Sequence, residues 1–193
     1  MAYLTESQVR DKVKNIPPEH YNLHFAIHSA ISALKDSFDI FLSHAMRDAE
    51  IILGIKQILE MSGKTVYIDW LDDSDLNRES VSGETAEKLR GRMRQCGSLF
   101  YVYSQSSQRS RWMPWELGYF DGANGNVAIL PILPDGGTLD FENEEYLQIY
   151  PKVDFTCVSD KPSVFVNRSK SAGYGDFKTF DDWRAGSDKL RPI

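Results

Sequence analysis

The chain has 193 residues, room for one α/β domain with an extension. Apolar residues make up 41% of it, which excludes wholesale disorder. A formal charge of −6 without a long basic run argues against a nucleic-acid partner and an anionic membrane surface. The longest strongly apolar stretch, Val127–Leu133, is far too short to cross a bilayer, and "MAYLTESQVRDK" lacks the order of a secretory leader. A cytoplasmic protein is therefore expected, with Cys96 and Cys157 as reduced core thiols rather than a disulfide or metal pair.

Residues 1–37 read as a helical extension separate from the rest of the chain. Thr5 is a plausible cap for "TESQVRDKVKNI", which stops at Pro17-Pro18. A second helix carries Leu23, Ile27, Ile31 and Leu34 on one face, which must dock on something. His20, His24 and His28 lie on a neighbouring face. No acid or cysteine joins them at ligand spacing, so they read as the flank of a docked helix and no metal is expected.

From Phe38 strands and helices alternate. "FDIFLS" is a buried strand, and "DAEIILGIKQILEMSG" a helix that closes at Gly63. "KTVYID" is a second strand, "WLDDSDLNRESVSG" a polar loop and "ETAEKLRGRMRQC" a helix. "SLFYVYS" is a third strand, followed by the polar "QSSQRSR" and the helix "RWMPWELGYFDG". "NVAILPIL" and "KVDFTCV" are the fourth and fifth strands. Residues 160–175 read as loop, and "DFKTFDDWRAGSDKL" as a closing helix. Near-continuous apolar strands in strict alternation predict a flavodoxin-like five-stranded parallel sheet with helices on both faces. Ligands bind such sheets beyond the carboxyl ends of the strands, where strand order reverses. "SHAMRD", "IDWLDD" and "SQSSQRSRWMPWE" converge there.

The helix after the third strand starts unusually. Ser110 can cap it, and Pro114 is tolerable only in the first turn, where amides lack helical partners. Trp112 and Glu116 are four apart and share a face. Taken alone, the plainer reading is a core tryptophan and a solvated first-turn acid favoured by the helix dipole. Trp115 is turned about 100° from Glu116 and is expected to pack into the domain, with the first helix as a candidate cover. A lone carboxylate beside an indole also has a chemical use. Nicotinamide leaves a cationic riboside as a neutral molecule, so no acid is needed. One carboxylate can hold the ribose hydroxyls and stabilise the oxocarbenium-like charge. Ordinary glycosides need two carboxyls. No dinucleotide fingerprint, phosphate loop, zinc motif or nucleophile elbow is present.

"FDIFLSHAMRD", "GKTVYIDW", "ETAEKLRGRMRQCGSLFYVYS" and "SRWMPWELGYFDG" together resemble a bacterial TIR (Toll/interleukin-1 receptor) domain over about residues 37 to 158. The resemblance implies cleavage of NAD⁺ at the nicotinamide–ribose bond, with NAD⁺ as substrate and no cofactor. It implies Glu116 as the catalytic residue, and Ser43, His44, Asp69 and Trp112 as substrate-binding residues. The loop 70–83 would be the BB loop, through which TIR domains self-associate and which can gate the site. That loop is long and acid-rich here, with Asp72, Asp73 and Asp75, and Pro114 and Trp115 depart from the common pattern. The implied domains are an extension at 1–37, a TIR domain at 38–158 and a C-terminal loop and helix at 159–193. Small TIR proteins of this kind resemble the signal-making part of Thoeris anti-phage defence, where a cyclic ADP-ribose isomer activates a separate effector. Two other readings stay open, a non-catalytic TIR adaptor and a nucleoside deoxyribosyltransferase-like enzyme.

Overall fold

A computed structural model of the chain describes residues 3–13, 37–73, 82–138, 141, 144–158, 161–167 and 177–186. The expected second helix with its apolar stripe, the three histidines beside it and residues 74–81 of the polar loop lie outside these residues.

Strand β2 (Phe38–Ser43) leads through a 3-10 turn into helix α2 (Ala49–Met61). The helix stops where Gly63 adopts φ +80°. The Gly63 amide donates to the Glu60 carbonyl at 2.9 Å and the Lys64 amide to the Leu59 carbonyl at 3.1 Å, which together satisfy the last-turn carbonyls. Edge strand β3 (Val66–Tyr67) follows, then the helical turn α3 (Asp69–Asp72). Ser82 caps α4 (Gly83–Arg94), accepting from the Thr85 amide at 3.1 Å. Strand β4 (Cys96–Tyr103), helix α5 (Trp112–Ala123) and strand β5 (Val127–Leu133) complete the alternation.

Strand β6 (Lys152–Val158) extends the parallel sheet, so β3-β2-β4-β5-β6 is the five-stranded parallel arrangement expected. Alternation along the strands sorts the core onto two faces. One face packs Ile40, Leu42, Phe100 and Val102 against α2. The other packs Phe41, Leu99 and Tyr101 against Leu89 and Met93 of α4 and Met113, Leu117 and Phe120 of α5. Both faces are dry, which is why the strands read as unbroken apolar runs.

Two expectations are corrected. The stretch read as loop contains a strand, β7 (Lys161–Asn167), antiparallel to β6, and the closing helix shrinks to α6 (Phe180–Arg184) after strand β8 (Phe177–Thr179). The Ser163–Val164–Phe165–Val166 alternation suits an edge ribbon with one buried face, but flanking polar residues masked it. The beginning of the chain is not separate either. Leu4–Thr5 forms a short strand, β1, paired in parallel with Ile132 and Leu133 of β5. Strand β6 is bridged to β5 only at Ile129–Lys152, leaving the far part of β5 to β1. Helix α1 (Glu6–Val13) then packs on α2, with Val9 fully buried. Thr5 caps α1 as expected and Gln8 reciprocates. The Gln8 amide donates to Thr5 Oγ1 at 3.4 Å and the Thr5 amide to Gln8 Oε1 at 3.0 Å.

Candidate active site

Strand order reverses between β2 and β4, and the carboxyl ends of these strands carry the candidate residues. Ser43 is the last residue of β2. Alternation turns it to the α5 face, and it is fully buried. Glu116 reaches it from the second turn of α5 and is also fully buried. The Ser43 hydroxyl donates to Glu116 Oε2 at 2.5 Å, a short charge-assisted bond. Glu116 is therefore not a solvated helix-start acid. The helix dipole alone does not explain a carboxylate with no exposed surface, because burying a charge costs far more than a helix end returns.

Local chemistry sets the helix that carries it. Arg111 occupies the N-cap position without a side-chain bond. Ser110, one residue earlier, still accepts the Met113 amide at 3.3 Å. Pro114 lies in the first turn, where its missing amide costs nothing. Trp112 is half-buried one turn before Glu116. Its ring meets Trp115 edge-on at 5.4 Å, and Trp115 stacks on Tyr119 at 6.0 Å and 18°. The Arg90 guanidinium of α4 covers both, 5.4 Å from Trp115 and 5.9 Å from Tyr119. Trp115 thus packs against α4. The first helix lies on the opposite face of the sheet, against α2, and is not its cover.

His44 and Asp69 come together, but inside the protein. His44 is 1% exposed and Asp69 2%. The indole Nε1–H of Trp70 donates to His44 Nε2 at 2.8 Å, and His44 Nδ1 lies 2.7 Å from the Leu42 carbonyl. An indole can only donate, so Nε2 supplies the lone pair and Nδ1 carries the proton. Asp69 Oδ1 stands 3.7 Å from Nε2. An ion pair there would need a proton on the nitrogen that already accepts from Trp70, and the shorter indole contact decides for the neutral ring. In this geometry His44 fixes the start of the 70–83 loop through Trp70.

Three polar groupings near the strand ends were not singled out from sequence. Ser104, just past β4, donates to the buried Asp48 Oδ2 at 2.5 Å and so ties the loops after β2 and β4 together. Asp73, at the near end of the loop, takes Arg92 Nε at 2.7 Å, Arg92 Nη2 at 2.8 Å and the Tyr67 hydroxyl at 2.7 Å. Burial pushes the Asp73 carboxyl up, but Arg92, Tyr67 and Lys88 outweigh it and hold it below the ordinary range. Burial, with the Asp73 charge, pushes the Tyr67 phenol far up. Tyr101 of β4 donates to the buried Glu144 at 2.9 Å. Alternation in β4 could have placed Tyr101 beside Ser43. Nothing local marks Glu144, which sits in an irregular connection. Among the described residues no three His, Cys, Asp or Glu side chains gather to hold a metal ion. Cys96 is a free, buried thiol whose pKa burial raises strongly. The side chain of Cys157 lies outside the described part of the structure.

A TIR domain family model matches residues 40–163, more than half of the chain and every candidate residue of this site. The chain belongs to the TIR domain family. This TIR domain is 52% identical over 116 residues to "Probable 3' cyclic ADP-D-ribose synthase ThsB'" of Bacillus cereus (strain MSX-D12), covering 60% of each chain. It is 35% identical over 86 residues to "Putative cyclic ADP-D-ribose synthase TIR2" of Cytobacillus dafuensis, covering 44% of this chain and 23% of that protein. The matches thus span 60% and 23% of these relatives' lengths. No helix among the described residues is long and apolar enough to cross a membrane.

Proposed function

We propose that this TIR domain cleaves the nicotinamide–ribose bond of NAD⁺ and closes the remaining ADP-ribose into a cyclic isomer. The observation that carries the reading is Glu116, a fully buried carboxylate at the switch point, held by the Ser43 hydroxyl. Kinship with proteins named as cyclic ADP-D-ribose synthases supports it. The chemistry follows from charge. As the C–N bond breaks, its electron pair goes to the pyridinium nitrogen and nicotinamide departs neutral. Positive charge spreads over the ribose carbon and ring oxygen, and Glu116 stabilises it in a site of low dielectric. Ser43 sets the carboxylate's orientation. Trp112, one helical turn away, offers an aromatic face to a flat base. His44, Asp69 and Trp70 shape the floor and hold the loop. NAD⁺ is the substrate, and no separate cofactor or metal is invoked.

The product would serve as a second messenger for a separate effector in anti-phage defence, made in the cytoplasm, with self-association through the 70–83 loop and residues 38–158 as the catalytic unit. Nicotinamide release from NAD⁺, followed by chromatography, tests the activity. Wild type should release nicotinamide and a product with the mass of cyclised ADP-ribose. Glu116→Gln keeps size and hydrogen bonding but not charge, and turnover should fall by at least about a hundredfold with the melting temperature little changed. Equal turnover by the variant would remove Glu116 from the chemistry. A wild type that releases no nicotinamide would favour the non-catalytic adaptor.

A further inference from the structure

The Ser43–Glu116 pair has a neighbour of the same kind. Tyr101 of β4 is the register partner of Ser43. Partners in a parallel ladder share a face, so the Tyr101 side chain stands one strand spacing, about 4.8 Å, from that of Ser43. It is fully buried, like Ser43 and Glu116. Tyr101 and the Ser43–Glu116 pair thus share the face of the sheet that α4 and α5 cover. The Tyr101 hydroxyl donates to Glu144 Oε1 at 2.9 Å, and the Tyr146 hydroxyl lies 3.1 Å from the same oxygen. Glu144 Oε2 is buried and accepts no hydrogen bond, and no cation pairs with Glu144 among the described residues.

A neutral glutamine would satisfy two phenolic donors equally well, since both bonds end on one oxygen. The carboxylate is thus costlier than the hydrogen bonding requires, and its second oxygen is left without a donor. The departure of nicotinamide draws on the charge of Glu116, whereas the attack that completes the reaction also releases a proton. A hydroxyl that attacks the ribose carbon, whether from water or from a sugar, must shed a proton.

We infer that Tyr101 and Glu144 take the proton of the attacking hydroxyl. This inference rests on the NAD⁺-cleaving reading of the site. The oxygen forms its bond to the anomeric carbon as the bond to nicotinamide breaks. The hydroxyl proton passes to Tyr101 Oη while the phenolic proton passes to Glu144 Oε1. The positive charge of the nicotinamide riboside thus ends as one proton on Glu144. Burial and the Glu144 charge hold the Tyr101 phenol's pKa high, so Tyr101 relays the proton rather than storing it. Tyr101 is the catalytic residue of this step, and Glu144 is its positioning and accepting partner.

The test compares two nucleophiles in the full chain. A pyridine base has no proton to lose, so exchange of nicotinamide for added 3-acetylpyridine needs Glu116 but not Glu144. Attack by a hydroxyl needs both. Glu144→Gln should keep base exchange within about twofold of wild type while hydroxyl attack, read as hydrolysed plus cyclised product, falls by about a hundredfold, the usual scale of a general base. Tyr101→Phe, which keeps the ring and its packing, should show the same split and serves if Glu144→Gln folds poorly. Parallel loss of both reactions in the two variants, or loss of neither, overturns the inference. A wild type that neither releases nicotinamide nor exchanges it overturns the cleavage reading, and this inference with it.

Discussion

At the residue scale, the helix start "RWMPWE" combines three different tasks. Glu116 is buried against Ser43, Pro114 uses a turn with no amide to lose, and Trp112 and Trp115 divide the flanks. The tryptophans touch, so their substitutions are not independent. Trp112→Ala should lower NAD⁺ turnover more than it lowers the melting temperature. Trp115→Ala removes a stacked ring and the surface under Arg90. It is half-buried, so it should cost about 1–2 kcal/mol, the scale of an aromatic pair with a cation contact, not the larger loss of a fully enclosed ring. Melts and nicotinamide release on both variants decide this. If Trp112→Ala unfolds the domain while Trp115→Ala folds and is inactive, the assignment of flanks is reversed.

At the element scale, two joints stand out. The first is α1 on α2, where a Cβ on Gly54 would lie 2.5 Å from the Val9 carbonyl oxygen and 2.6 Å from its Cγ1. Backbone cannot yield as a side-chain tip can. Gly54→Ala should therefore destabilise by about 1–3 kcal/mol, the cost of overpacking. It should also loosen α1, seen as faster amide exchange over residues 6–13. Unchanged exchange would mean that the helices do not meet at Gly54. The second joint is the Asp73 clamp, which ties the start of the 74–81 segment to β3 and α4. Its carboxyl is held below the unfolded value of about 3.9. A lowered pKa means that the clamp is fully present above that value and is lost as pH falls through the folded pKa. Urea melts from pH 7 to pH 3 should find wild type more stable than Asp73→Asn at neutral pH, with the gap closing on acidification. A gap that stays constant across that range would show that the charge of Asp73 is irrelevant.

For the whole molecule, the beginning and end of the described chain are structural parts of the sheet. β1 takes the place beside β5 that β6 leaves, and β7 and β8 widen the sheet beyond β6. Deleting residues 1–13 removes that pairing and the burial of Val9 and Val13, worth roughly 1.5–3 kcal/mol each. The truncated protein should melt lower or aggregate. A truncation as stable as the full chain would show that α1 contributes nothing to the fold.

The strand order and the convergence of Ser43 with Glu116 are implied by the flavodoxin-like arrangement and the TIR resemblance. The sequence by itself determined the alternation of buried strands and helices, the end of α2 and the shared face of Trp112 and Glu116. Each rests on a local period or stop: unbroken apolar runs for buried strands, Gly63 for the end of α2, a four-residue step between Trp112 and Glu116. It misread the ends of the chain. A two-residue strand such as β1 has no period to recognise, and the strand at 161–167 shows its pattern only once one face is known to be covered. Only the tertiary structure decided that Glu116 is sealed rather than solvated, that His44 is spent on Trp70, and that Glu144 meets Tyr101. Those facts depend on contacts between residues 26 to 73 positions apart. Their free energy comes from shared burial, which no local stretch of sequence carries.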